Sequence, residues 1–482
     1  MKNIFRLLFA SIALVAVVGC EQGDVLGGDD NKKEMLPTPN ATATVVENDV
    51  IVAWDAVDFA IRYELTLNGG EAVSTDVSPY RFEDLDYATE YTITVVAISA
   101  DEATKANSEA KVLKVEIPAL EVPAYREWYS ASGAAAISNN GRWVVGAFQH
   151  NGFIYDLQNN KQTEFPGYEF SDISDNGVAV GAYFPSESSG GEAVYYKDGE
   201  AHKVKLGELP GNLYGSSLTS VTPDGTYAVG WYWDYADTYY TERFGLIVPF
   251  AYDITNNIVT VLKEDVTYAQ YRNATQAYAV DPNRAILGLE QSVLGMFGVI
   301  WESATADWQY VYMETNEDKE PTKAFGSVGM CFFSPEGRFV YNQASTYVNG
   351  VNENCAAAYD REKKELIMFE SVRQGGVSAM TEDGVAFLND VAAGFGTTSF
   401  VIDTNKDVND VKRIDDWLLE EHNIDLTGYL LDGIIIVGVS GDGRTLLGMT
   451  NTMEYGWVNF AICLDGSPMS EKVVEDETET EE

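Results

Sequence analysis

Directly after Gly230 the chain reads Trp231-Tyr232-Trp233-Asp234-Tyr235-Ala236-Asp237-Thr238-Tyr239-Tyr240, which packs six aromatic rings and two carboxylates into ten residues. Aromatic faces stack on the apolar C–H surfaces of sugar rings while carboxylates accept hydrogen bonds from hydroxyls, so this composition suits glycan recognition. The plainer alternative is that Trp231, Trp233 and Tyr235 continue a strand and pack against a neighbouring sheet. The chemistry that is missing narrows the field. The three histidines, His150, His202 and His422, have no metal-ligand spacing, and neither a G-x-S-x-G elbow nor HExxH occurs. Asp172-Ile173-Ser174-Asp175-Asn176-Gly177 hints at a calcium loop, but its twelfth position is Tyr183 where a Glu is required, and it reads better as a β-turn. With 75 Asp+Glu, carboxylate pairs for glycosidase chemistry are too many to be informative. No cofactor, metal or catalytic residue is expected.

Whatever chemistry these residues do must be held by elements of a large chain. At 482 residues it exceeds one compact core, and 45% hydrophobic content exceeds that of a disordered polymer. Against 31 Lys+Arg the acids give a formal net charge of -44, which repels phosphate backbones and excludes nucleic acid as a partner.

Lys2 and Arg6 precede the apolar run Leu7 to Val18, whose 12 residues follow the charge order of a secretory signal. A bilayer core needs about 20 helical residues, so the run is too short to span one. It ends in Val17-Val18-Gly19-Cys20, which resembles the lipobox of bacterial lipoproteins. That resemblance implies a signal peptide over 1–19, a lipid (palmitate-type) modification on Cys20 and attachment to the outer membrane. Residues 20–35 read as lipidated Cys and flexible tether, and their dispersed acids favour exposure at the cell surface. The remaining Cys331, Cys355 and Cys463 form neither a disulfide framework nor a zinc site; the first two are expected on the first and third strands of one sheet, about 9.5 Å apart and too far to bridge.

Over 36–118, strand-length alternation recurs at Val50 to Trp54, Tyr63 to Leu67 and Tyr91 to Ala97, separated by Asn68-Gly69-Gly70 and Ser78-Pro79. On Trp54, Tyr63, Leu85 and Thr89-Glu90-Tyr91 this stretch resembles a fibronectin type III module, with Tyr87 where that family often has Pro. The resemblance implies an immunoglobulin-like sandwich in which the aromatics fill the core and the Tyr91 hydroxyl closes a corner. No Arg-Gly-Asp occurs, and a spacer between membrane and next domain is the expected role.

From 124 to 467 a phrase repeats: apolar strand, Ser or Thr, an Asp/Asn-Gly turn, then a strand that often ends in Gly. The copies are Ile137-Ser138-Asn139-Asn140-Gly141, Ile173 to Gly177, Val221-Thr222-Pro223-Asp224-Gly225, Val280-Asp281-Pro282-Asn283-Arg284, Phe333 to Gly337, Met380 to Gly384 and Val439 to Gly443. Their mean spacing is about 50 residues, the length of a propeller blade. Each is followed by a second half such as Phe153-Ile154-Tyr155-Asp156 or Phe250-Ala251-Tyr252-Asp253. The segment resembles a seven-bladed β-propeller of the secreted HAF-repeat type, and Ile414, Trp417 and Leu418 resemble one face of that family's helical insertion. The fold class is therefore all-β, a sandwich followed by a propeller, with an acidic tail over 468–482.

If the turns join the first two strands of every blade, they share one face, and the loops between strands two and three share the other. The variable loops carry the site candidates: Trp231, Trp233, Asp234, Tyr235, Tyr239, Tyr240, His150, Tyr183, Glu290 and Tyr455. The expected function is a lipid-anchored, non-enzymatic platform that binds an extracellular glycan or surface protein. Two rivals stand beside it: a polysaccharide hydrolase or lyase using Asp234 or Glu290, and a periplasmic envelope scaffold.

Overall fold

Short runs of β-branched and aromatic residues, punctuated every few positions by Gly, Asn or Asp, form short antiparallel strands throughout the chain. The computed structural model describes residues 33–186, 189–206, 213–234, 246–262, 273–292, 295–318, 320–326, 331–348, 351–373, 375–389, 399–427, 434–452 and 456–467. The chain divides into two compact units, Met1–Pro118 and Ala119–Glu482.

The first unit is an immunoglobulin-like sandwich. One sheet holds strands Ala41–Val46, Asp49–Trp54 and Tyr80–Phe82, the other Val73–Thr75, Ala60–Leu67, Thr89–Ser99 and Lys111–Ile117. Alternation puts Val50, Val52 and Trp54 of one sheet against Tyr63, Leu65, Ile93 and Val95 of the other. The Trp54 and Tyr63 rings lie 5.1 Å apart. Tyr91 is buried, and its hydroxyl accepts the Asp86 N–H at 2.9 Å, closing the turn before its strand.

The second unit is a β-propeller of seven radial sheets, six of them four-stranded and the fifth in chain order six-stranded. The innermost strands are Ala134–Ile137, Tyr168–Ile173, Leu213–Val221, Asn273–Val280, a divided strand of Pro321–Phe325 and Phe332–Phe333, Gly376–Met380 and Ile435–Val439. The ring closes between its ends. Tyr125–Ser130 joins the last sheet as its outermost strand, pairing Tyr125 with Ile462 and Ser130 with Trp457. The last blade thus combines the first and last strands of the unit.

The repeated phrase is a turn-closing device. The Thr222 hydroxyl donates to Asp224 Oδ1 at 2.6 Å and accepts the Tyr227 N–H at 3.2 Å, and Ser138, Ser174 and Ser440 make the same pair of bonds in their blades. Gly225 at the corner has φ +68, the left-handed region that favours glycine. The Gly of the second strand, which lies within it rather than at its end, has a different cause. A Cβ on Gly181 would stand 1.9 Å from the Glu169 carbonyl oxygen, and one on Gly230 2.1 Å from that of Ser217.

Cores lie between blades. Val229, Ala251 and Tyr227 of blade three meet Ala277, Ile286 and the fully buried Trp301 of blade four. The α-helix Ile414–His422 buries Ile414 and Leu418 in the core of blades six and seven, and Trp417 packs edge-on to Phe387. Cys331 and Cys355 are buried thiols on the inner edge and third strand of blade five, and Cys463 is a half-buried thiol in blade seven.

Candidate functional site

Antiparallel pairing puts the seven repeat turns, five of them Asp/Asn-Gly, on one face, here the turn face, and the loops between second and third strands on the other, the loop face. On the loop face, blades one and two bring candidate residues together. His150, in the tight Phe148-to-Asn151 connection, lies over Phe184 with ring centroids 3.8 Å apart, and its Nδ1 is 3.0 Å from Glu169 Oε1. Tyr183 lies 4.8 Å from Tyr168, its partner across the strand pair, and Lys203 Nζ sits 5.3 Å from the Tyr183 ring. Lys203 also pairs with Glu192, which raises its pKa. Backbone bonds from Gly167 N–H to His150 O and from Phe184 N–H to Gly167 O fix the two blades' segments to each other. The result is a half-buried row of rings edged by two carboxylates and one ammonium.

Blades three and four hold the second group. The strand Tyr227–Asp234 extends four residues beyond Gly230, because Trp231 to Asp234 pair with Leu246 to Pro249. What the sequence suggests as a loop therefore begins as a strand. Alternation sends Tyr232 into the core with blade two, while Trp231 and Trp233 leave the opposite side, toward blade four, and are half-buried. Glu290 leaves blade four on the side of Ile286, toward blade three, and accepts a hydrogen bond from the Tyr310 hydroxyl at 2.9 Å. Asp234 ends its strand. Tyr235, Tyr239, Tyr240 and Tyr455 lie outside the described residues.

A third feature was not legible as a site. Where the inner strands converge, a cavity of about 210 Å³ runs along the propeller axis, lined from every blade. Six of the seven inner strands carry a β-bulge at the same point of the repeat, between Ala134 and Ala136, Phe170 and Asp172, Leu218 and Ser220, Ala277 and Ala279, Val377 and Ala379, and Ile436 and Gly438. The extra residue of each bulge lines the cavity. Thr219 and Ser378 use that position to donate across blades, to Ala277 O at 2.9 Å and Ile436 O at 2.6 Å. The residue after the bulge is Ala136, Ser220, Ala279, Ala379 or Gly438 in five blades, but Asp172 in blade two. Asp172 Oδ2 accepts Ser220 Oγ–H at 2.8 Å and Val221 N–H at 2.9 Å, and Oδ1 accepts Ile173 N–H at 2.8 Å. Enclosure by the ring pushes its carboxyl up to about 6, against the opposing pull of those three donors. At the turn face, Asn139 Nδ2 donates to Pro335 O at 3.1 Å, linking blades one and five. The calcium-loop hint dissolves here: Asp172 belongs to a strand, Ser174 to Gly177 form the turn, and among the described residues no group of three potential metal ligands occurs.

No protein-family profile matches the chain. No curated protein is significantly similar to it either. Among solved structures, TolB from Acinetobacter baumannii is 13% identical over 68% of this chain and 77% of its own, with a TM-score of 0.32. A prolyl endopeptidase is 8% identical over 78% of this chain, which spans 49% of that protein, with a TM-score of 0.40. FN3tt mut is 18% identical over 17% of this chain and 97% of its own, with a TM-score of 0.16. The propeller assignment rests on the chain's own strand order, not on these similarities.

Proposed function

We propose that the chain is a lipid-anchored cell-envelope protein whose propeller binds an extracellular glycan, without turnover, on the loop face. The observation that carries this reading is the row of His150, Phe184, Tyr183 and Tyr168 edged by Glu169, Glu192 and Lys203. Flat rings that remain half-exposed offer stacking area for sugar C–H faces, and the flanking charges offer acceptors and a donor for hydroxyls. Trp231, Trp233 and Glu290 supply a second, adjoining stretch of the same kind between blades three and four. The finer assignments belong to the same proposal: Cys20, outside the described residues, carries the lipid and sets an outer-membrane, surface-exposed location; the first unit is a fibronectin type III-type spacer; and the blades are of the HAF-repeat type.

Native gels loaded with individual polysaccharides test this. The parent should be retarded by at least one polymer, and a Tyr183→Ala/Phe184→Ala variant with unchanged circular dichroism should migrate freely. Reducing-end release in the same mixtures would convert the reading to a hydrolase or lyase, and migration of the parent unaffected by every polymer would overturn it in favour of a protein partner.

A further inference from the structure

The axial cavity has a property that the loop-face reading does not use. Three carboxylates are buried deep in the propeller, and each has an arginine: Asp156 with Arg142 at 2.7 Å, Asp281 with Arg361 at 2.9 Å, Asp360 with Arg338 at 2.8 Å. Asp172, half-buried and with its carboxyl turned against blade three, breaks that pattern. Among the described residues its partners are a hydroxyl and two backbone N–H groups, and no Lys, Arg or His lines the cavity it faces. An enclosed carboxylate without a counter-charge is costly, and two or three donors offset only part of that cost. The wall from blades four and five is aromatic, with Tyr278, Phe332 and Tyr341 lining the same space. The Tyr341 hydroxyl is near enough for the Asp172 charge to raise its pKa, with burial as the larger cause. Blades six, seven and one contribute small residues, among them Ala135 and Gly438, which leave the volume open.

A single carboxylate facing aromatic rings across a small space is a recognition pattern for an organic ammonium ion, held by charge on one side and ring faces on the other. A divalent metal is disfavoured, because calcium takes 6–8 oxygen ligands, whereas of the two carboxylates that line the cavity Asp281 is paired with Arg361 and the oxygens of Asp172 already accept three hydrogen bonds. At about 30 Å³ per water, the cavity has the volume of about seven waters. That admits a methylated amine or choline-sized ion and excludes an oligosaccharide. We propose that the axial channel is a binding site for a small alkylammonium ion, with Asp172 as counter-ion and Tyr278, Phe332 and Tyr341 as the ring wall. This site is independent of the glycan surface and stands or falls separately.

The test is isothermal titration of the full chain, in phosphate buffer free of amines, with tetramethylammonium, choline and ethylammonium chlorides, and with sodium and calcium chlorides as comparators. Saturable binding of at least one alkylammonium ion, weakened about tenfold or more, equivalent to 1.4 kcal/mol or more, in Asp172→Asn, is expected. Ala135→Leu, which fills the channel without touching the carboxylate, should abolish the same signal. Circular dichroism and gel filtration establish that both variants are folded. A folded parent that takes up no ammonium ion, sodium or calcium binding as strong as that of the amines, or binding unchanged in both variants would each overturn the proposal.

Discussion

Replacing Asp172 with Asn should change the pH dependence of stability by an amount set by its enclosure. In the folded propeller its carboxyl titrates near 6, against an ordinary 3.8 in the unfolded chain, with burial as the leading cause. A raised acid pKa means that the native state holds the proton more tightly than the unfolded state, so the parent loses stability as pH rises through 4 to 6 and gains nothing back above that. A shift of about 2 units at 1.36 kcal/mol each puts the full cost at about 3 kcal/mol by neutral pH. Because the cavity admits solvent, this figure is an upper bound. The variant's amide oxygen can still accept from Ser220 and Val221, while its NH2 replaces the acceptor of the Ile173 N–H; that second loss is the same at every pH, so the pH-dependent part of the change is loss of the charge. Other carboxylates titrate in both proteins, which makes the difference between them the informative curve. Measured by urea unfolding at intervals from pH 4 to 7.5 in amine-free buffer, the variant should gain on the parent by up to about 3 kcal/mol, with the whole gain between pH 4 and 6.5. A flat difference curve, or a variant that gains as pH falls, would refute the claim that the channel holds an unpaired carboxylate.

Three further outcomes follow from other parts of the ring. Asp281→Ala should destabilise the propeller by about 1–3 kcal/mol, because it removes the acceptor of the Ala285 N–H and the shorter of Arg361's two carboxylate contacts, Glu302 and the Gly337 carbonyl remaining; no measurable loss by urea unfolding would contradict it. Gly181→Ala puts a Cβ 1.9 Å from the Glu169 carbonyl oxygen and should cost about 1–3 kcal/mol or more, whereas Gly199→Ala, with open space around it, should be limited to its backbone strain, so equal losses would count against the close approach. Cys331, fully buried with its thiol pushed up to about 12, should resist a thiol reagent at pH 8 until the propeller unfolds, and rapid labelling of the folded protein at that residue would contradict its placement.

The architecture was legible where it rests on local chemistry. The Ser/Thr-x-Asp/Asn-Gly turns are read by counting because each of them is closed by its own side chains, as at Thr222, Asp224 and Gly225, whereas the Ser-Pro-Glu-Gly turn of blade five is closed by Glu382 from blade six. The helix at Ile414 was legible for the same reason, its apolar face repeating at the helical period. The closing strand was not, since Tyr125–Ser130 pairs with Gly456–Cys463 more than 300 residues away and nothing in either segment names the other. Trp231 and Trp233 could be singled out but not placed: strand and loop share their composition, and only the partner segment Leu246–Asp253 shows where pairing ends. Tyr168, Glu169 and Lys203 went unremarked because they sit at the ends of first and fourth strands, outside the connections between second and third strands where the sequence reading looked.

Asp172, which the sequence offers only as the first position of a calcium-loop hint, is the instructive case, because a better signal for it did exist. Aligning the repeats on their turns puts Ala136, Ser220, Ala279, Ala379 and Gly438 at its position, with Phe332 in blade five, so Asp172 is the charged member of a mostly small, otherwise uncharged column. The column has that character because a bulge turns it inward, to an axis where seven strands converge and side-chain volume is scarce. The turn residues beside it are occupied with one another and with neighbouring turns, as in the bond from Asn140 N–H to Asp175 Oδ1 at 2.6 Å. A turn face committed to holding the ring together has few groups left for a ligand, which puts recognition of large molecules on the loop face. The axis is governed by a different constraint, since its cavity is too small for a large partner. Asp172 does tie blade two to blade three through Ser220 and Val221, but a neutral acceptor would do that without the cost of the charge above pH 6, a cost that a small counter-ion entering the channel offsets.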